Sequence, residues 1–82
     1  MPRFYFDVRE GPKFTPDHEG LEFNSLEAAE YEAARTAAEI GREDLPTGRA
    51  SEVTVEVRDE RGQPVLTVAV AMTVRRMSPA HA

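Results

Sequence analysis

The stretch Asn24 to Glu43 constrains this chain more than any other. At the ideal helical period, Leu26, Ala29, Ala33, Ala37 and Ile40 gather on one stripe about 80° wide. Glu32, Arg35, Glu39 and Arg42 fall on the opposite side. A helix patterned this way must lie on another layer. Alanine lets its axis come close but buries little area, so the bulk of the core has to come from the partner layer. Asn24-Ser25-Leu26-Glu27 reads as the helix start. Either Asn24 or Ser25 can cap it, and with Asn24 as cap, Glu27 completes a capping box. Gly41 weakens the last turns by roughly 1 kcal/mol relative to alanine. Leu45-Pro46 then stops the helix, because the residue before proline leaves the α region. The end is expected between Gly41 and Asp44.

The partner layer is legible on both sides of the helix. From Arg3 to Arg9, Phe4, Phe6 and Val8 alternate with Arg3, Tyr5, Asp7 and Arg9, the pattern of a half-buried strand. Glu10-Gly11-Pro12 is a turn, and Lys13-Phe14-Thr15 a short second strand that Pro16 ends or confines to an edge. Asp17-His18-Glu19-Gly20 is the next turn. Leu21-Glu22-Phe23 is extended, with Phe23 placed to pack on Ala28 as a hydrophobic staple. After a loop at 46–51, Val53, Val55 and Val57 alternate with Glu52, Thr54, Glu56 and Arg58. A hairpin at Asp59-Glu60-Arg61-Gly62 leads to a last strand of about ten residues, with Leu66, Val68, Val70 and Met72 on one face. A four-residue loop places Val55 opposite Leu66 and Val53 opposite Val68, with Gly62 left-handed.

The order strand, short strand, helix, strand, strand predicts an α+β fold: an antiparallel sheet of three to four strands with the helix on one face. The expected core is Phe4, Phe6, Val8, Leu26, Ala29, Ala33, Ala37, Ile40, Val53, Val55, Val57, Leu66, Val68, Val70 and Met72. One domain over 1–76 is expected, with 77–82 as a flexible tail. At 82 residues the chain buries only about 60–65% of its unfolded surface, so dimerisation is a natural support. The chain has no cysteine, which removes disulfides and thiolate metal sites and fits a reducing cytoplasm. A strand pattern that begins at once leaves no room for a signal peptide, and no apolar run reaches membrane-spanning length.

The other sheet face is expected to be open. It carries Arg3, Tyr5, Arg9, Thr54, Glu56, Thr67, Ala69, Ala71 and Thr73, with Val65, Glu52 and Arg58 beside them, and is the candidate interaction surface. The unpaired edge of the last strand offers the same option. Asp17, His18 and Glu19 form the one cluster that invites a ligand or metal reading. Successive residues of a turn diverge, however, and metal ligands on one element sit at i, i+2 or i, i+4. No nucleophile motif and no phosphate-cradling glycine loop is present, so no catalytic residue, no cofactor and no enzymatic activity are expected. A net charge of −5 disfavours nucleic acid and anionic membranes. Arg75-Arg76 with Arg3, Arg9 and a lone Tyr5 is thin for a nucleic-acid surface. The expected partners are a second copy of the chain and another small protein.

Met-Pro-Arg-Phe-Tyr-Phe at the start, Pro16-Asp17-His18-Glu19-Gly20-Leu21-Glu22-Phe23, Ser25-Leu26-Glu27-Ala28-Ala29 and the hairpin at Asp59-Glu60-Arg61-Gly62 resemble a family of short uncharacterised bacterial proteins. The likeness runs over residues 1 to about 76 and implies a domain but no activity. Pro16-Asp17-x-x-Gly20 and Ser25-Leu26-Glu27-Ala28-Ala29 are also loosely similar to HicB-type antitoxins. That likeness implies binding of a small basic protein, which an acidic domain suits.

Overall fold

A computed structural model describes residues 1–78. The elements run in the order β1 (Arg3–Glu10), β2 (Lys13–Thr15), β3 (Leu21–Glu22), α1 (Leu26–Asp44), β4 (Glu52–Arg58) and β5 (Pro64–Ala71). All strand pairings are antiparallel, in the order β2-β1-β4-β5, and β3 joins the free end of the β1 edge that β2 occupies. The α+β arrangement is as expected, but the sheet has five strands. The extra one is Leu21–Glu22, which pairs with Arg3 and Phe4.

Ser25, not Asn24, caps the helix. It is extended, and its Oγ accepts the Ala28 N–H at 3.1 Å. Glu27 is therefore one position too early for a capping box, though its charge still faces the positive end of the helix. Ala29, Ala33, Ala37 and Gly41 are buried at intervals of one turn. They lay the helix almost directly on the sheet. Gly41 is the closest point: a Cβ there would sit 2.6 Å from Val70 Cγ1. The glycine that costs helix propensity is thus the one that lets α1 reach β5.

Beneath the stripe, Val53, Val55 and Val57 of β4 are fully buried, each contributing roughly 2 kcal/mol. Where the helix does not reach, Phe23 covers β1. Its ring centroid lies 6.4 Å from that of Phe4 and 5.9 Å, edge-on, from that of Phe6. Such tilted pairs suit the aromatic quadrupole. Two expected core residues are exposed, Leu26 at 44% and Met72 at 46%, and Ile40 and Val70 are only half-buried. Leu26 sits in the first helical turn, ahead of the row that meets the sheet. Met72 follows the end of β5.

The β4–β5 register also differs from expectation. Val57 pairs with Leu66, Val55 with Val68 and Val53 with Val70. The faces are conserved because the shift is by two residues. Its cause is the loop. The Asp59 carboxylate accepts N–H groups from Arg61 at 2.9 Å and Gln63 at 3.0 Å, and the Asp59 N–H closes onto the Gln63 carbonyl at 2.9 Å. Gly62 takes φ +81° within it. The turn therefore extends to Gln63, and Arg58 pairs with Pro64, leaving Val65 as the extra residue of a bulge. At its far end β5 stops at Ala71, opposite Glu52 where β4 begins. It is shorter than the ten residues expected, and Thr73 lies beyond it. Of the expected tail, residues 77–78 are exposed bends, and 79–82, with His81, lie outside the described residues.

Candidate functional site

The face away from the helix is ordered in rows across the strands. Arg9, Thr54 and Ala69 make one row; Asp7, Glu56 and Thr67 the next; Tyr5, Arg58 and Pro64 the third. Phe14 on β2 pairs with Arg9 and extends the first row. The candidate residues Tyr5, Arg9, Thr54, Glu56, Thr67, Ala69 and Ala71 thus do share one surface. Thr73 is exposed but follows the strand, and Arg3 serves at the edge.

The most densely hydrogen-bonded part of this face is a polar staple. Asp7 points away from the helix, yet is only 5% exposed. Arg58 grips it with Nε at 2.6 Å and Nη2 at 3.1 Å, and the Asp17 N–H donates to it at 2.9 Å. The Arg58 hydrogen bond holds the Asp7 carboxyl below the usual range, outweighing burial. The same bond raises Arg58. Arg58 also donates to the Asp17 carbonyl at 3.0 Å and lies 5.1 Å from the centre of the Tyr5 ring. Its Nε and Nη2 are thus committed to acceptors within the protomer.

Asp17 is the keystone of the turn between β2 and β3. Those strands cover the two ends of β1's outer edge and leave a gap at Phe6. The Asp17 Oδ2 fills it, accepting the Phe6 N–H at 3.0 Å. Its Oδ1 accepts the N–H groups of Glu19 at 3.0 Å and Gly20 at 3.1 Å. Burial pushes this carboxyl up, but the backbone donors outweigh it and bring it below its ordinary value. Gly20 completes the turn at φ +70°, where a Cβ would lie 2.7 Å from the Phe4 carbonyl oxygen. Arg3 donates to the Glu19 carbonyl at 2.8 Å and the Gly20 carbonyl at 3.3 Å. The turn Asp17-His18-Glu19 is therefore built around a carboxylate committed to the backbone. His18 and Glu19 project as exposed residues. Among the described residues, no group of three or more His, Asp or Glu is placed to hold a metal ion.

Around the staple the face is accessible. Arg9 stacks over Phe14 with its Cζ 4.6 Å from the ring centre and lies 3.7 Å from Glu56. Thr54 bonds Glu52 at 3.4 Å. Phe14, 42% exposed, is a second aromatic on this face. Strand alternation could have placed it there once its pairing with Arg9 was known, but a three-residue strand has no readable period. The Asp7–Arg58 pair carries a weaker signal still. The two residues are neither opposite nor near in sequence: they meet diagonally, because Arg58 pairs with Tyr5.

A shallow cavity of about 260 Å³ lies at one end of the sheet, lined by Glu10, Pro12, Lys13, Asp44 and Arg49. Asp44 is buried there at the C-terminus of the helix, with Arg49 at 3.9 Å. A hydrogen bond with Asp44, then burial and the Asp44 charge, push the Glu10 carboxyl up.

No curated protein and no solved structure matches the chain. The looser likeness to HicB-type antitoxins has no counterpart among the matches found. The family model for the domain of unknown function DUF6894 matches residues 3–71, from the first strand through the last, and the chain belongs to that family.

Proposed function

We propose that this chain is a non-enzymatic protein-interaction domain of a bacterial cytoplasm, that it self-associates, and that its open sheet face meets a protein partner. The observation that carries this reading is the division of that face. Its buried charges are satisfied internally by the Asp7–Arg58–Asp17 staple, while Arg9, Phe14, Thr54, Thr67 and Ala69 remain accessible on a rigid plane. Pre-ordered side chains lose little freedom on binding, and an aromatic–arginine pair is a common anchor of protein interfaces. The engaged state of Arg58 and Arg3 argues against a phosphate-binding role for them. The absence of cysteine is consistent with a reducing compartment.

The net charge of −5 favours one partner class in particular, a small basic protein, as an antitoxin-like binder would hold. The reading that uses His18 as a metal-responsive turn has less support, since Asp17 is already spent on the backbone. An affinity capture of the tagged full chain from host lysate at low salt, with mass spectrometry, tests the proposal. A stoichiometric small protein, lost in the Arg9→Ala/Phe14→Ala variant, is the expected result. Capture that ignores this double substitution, or no protein beyond the chain itself, would contradict the open-face reading. A zinc titration followed by His18 NMR shifts checks the metal alternative, and unchanged shifts are expected.

A further inference from the structure

The outer edge of β5 has no strand neighbour among the described residues. Bare edges are usually blunted by charge. This one is not: from Gln63 to Val74 there is no charged side chain, in a chain whose residues are 30% charged. The uncharged stretch is also nearly palindromic. Reading outward from Val70, Ala69 matches Ala71, Val68 matches Met72, Thr67 matches Thr73 and Leu66 matches Val74. The second half of that palindrome outruns the sheet. β5 ends opposite the first residue of β4, and beyond it Met72 is 46% and Val74 79% exposed.

We propose that β5 is the seam of a homodimer, in which two copies pair this strand antiparallel about a twofold axis through Val70. It deepens the self-association in the reading above and rests on it. A twofold interface must be self-complementary, and the palindrome meets that condition residue by residue. Val70 faces the partner's Val70, Val68 the partner's Met72, and Leu66 the partner's Val74. On the open face Ala69 meets the partner's Ala71, and Thr67 the partner's Thr73. Aliphatic meets aliphatic on one face and small or hydroxyl-bearing residues meet their like on the other. Any axis through a residue keeps the two faces distinct, but the axis through Val70 also gives Met72 and Val74 a strand to lie against. The axis stands perpendicular to the sheet. Both helices then share one side, and the half-buried row of Leu66, Val68 and Val70 is continued by its own copy. No charge of either subunit enters the paired stretch, so the acidic chains meet where self-repulsion is least.

Two double variants test the register. Ala69 and Ala71 are both exposed on the open face, so substitutions there leave the protomer fold intact. In the dimer each faces the other across the axis. Ala69→Lys/Ala71→Lys sets like charges opposite one another twice, and sedimentation equilibrium of the purified full chain should show self-association weakened by about 100-fold in affinity. Ala69→Lys/Ala71→Glu sets opposite charges face to face and should remain as dimeric as the parent, with the same circular dichroism. A parent chain that is monomeric at tens-of-micromolar concentration overturns both the seam and the self-association, leaving open-face binding to its own test. A dimeric parent whose two double variants behave alike overturns the seam alone.

Discussion

The two edges of the sheet are finished in opposite ways. On one side, β1 lies a strand in from the margin, and every part of its outer side is occupied. β2 takes one end, β3 the other, and the Asp17 carboxylate takes the Phe6 N–H between them. Proline, glycine and charge are concentrated there: Pro12, Pro16, Gly11, Gly20, Arg3 and Asp17 all serve that edge. At the β5 edge the chain has only Pro64 and one bulge, both at the hairpin end, and then runs on uncharged. An edge can thus be closed by a side chain as well as by strands. The β5 edge is where the molecule leaves backbone groups for another chain to use.

The largest effect should come from breaking the closed edge at its ion pair. Arg58→Ala leaves the buried Asp7 without its principal partner and should cost about 3 kcal/mol in denaturant unfolding. Asp7→Leu/Arg58→Leu, which removes both charges, should cost clearly less. Next is Gly20→Ala, which forces a side chain into positive φ and against the Phe4 carbonyl, for about 2 kcal/mol. Its signature is faster hydrogen exchange at the Phe6 amide.

Acid acts on the same edge. Asp7 and Asp17 are both held below their ordinary values. Their contribution is complete above the unfolded carboxylate range and disappears as pH falls through their lowered folded values. The acid-unfolding limb should be shallower in Asp17→Asn than in the parent. Glu10 works with the opposite sign. Its raised carboxyl favours the folded state below the unfolded range and that advantage is lost as pH rises through the folded value. Glu10→Gln should therefore flatten the decline in stability on the neutral side of the carboxylate range. The smallest effect on the protomer is at the open edge. Ala69→Lys should change unfolding free energy, measured on dilute protein, by no more than about 0.5 kcal/mol.

The framework of the fold was legible because burial leaves a period. Phe4, Phe6 and Val8, the valines of β4 and the alanine row each repeat at the spacing of their element, and that spacing fixes the face. Polar side chains that organise turns leave no such period. Asp59 reaches Gln63 and shifts the hairpin by two residues. Asp17 looks like a ligand beside His18 until the Phe6 N–H is seen to need it. The buried Asp7 reads as a solvated strand residue until its partner, far along the chain, arrives through the β1–β4 pairing. Gly41 was visible as a helix weakness but not as the point of contact with Val70. Each case depends on a neighbour supplied by tertiary structure, which one-dimensional spacing does not carry.

The contrast between the edges is tested most directly by residue-resolved hydrogen exchange of the parent chain over a range of protein concentrations. The Phe6 amide, closed by Asp17 within one protomer, should be protected equally at every concentration. The amides from Thr67 to Thr73 that point away from β4 should exchange quickly in dilute protein and become protected as concentration rises. Outward β5 amides that exchange at one rate throughout, or a Phe6 amide that exchanges as fast as they do in dilute protein, would contradict the account.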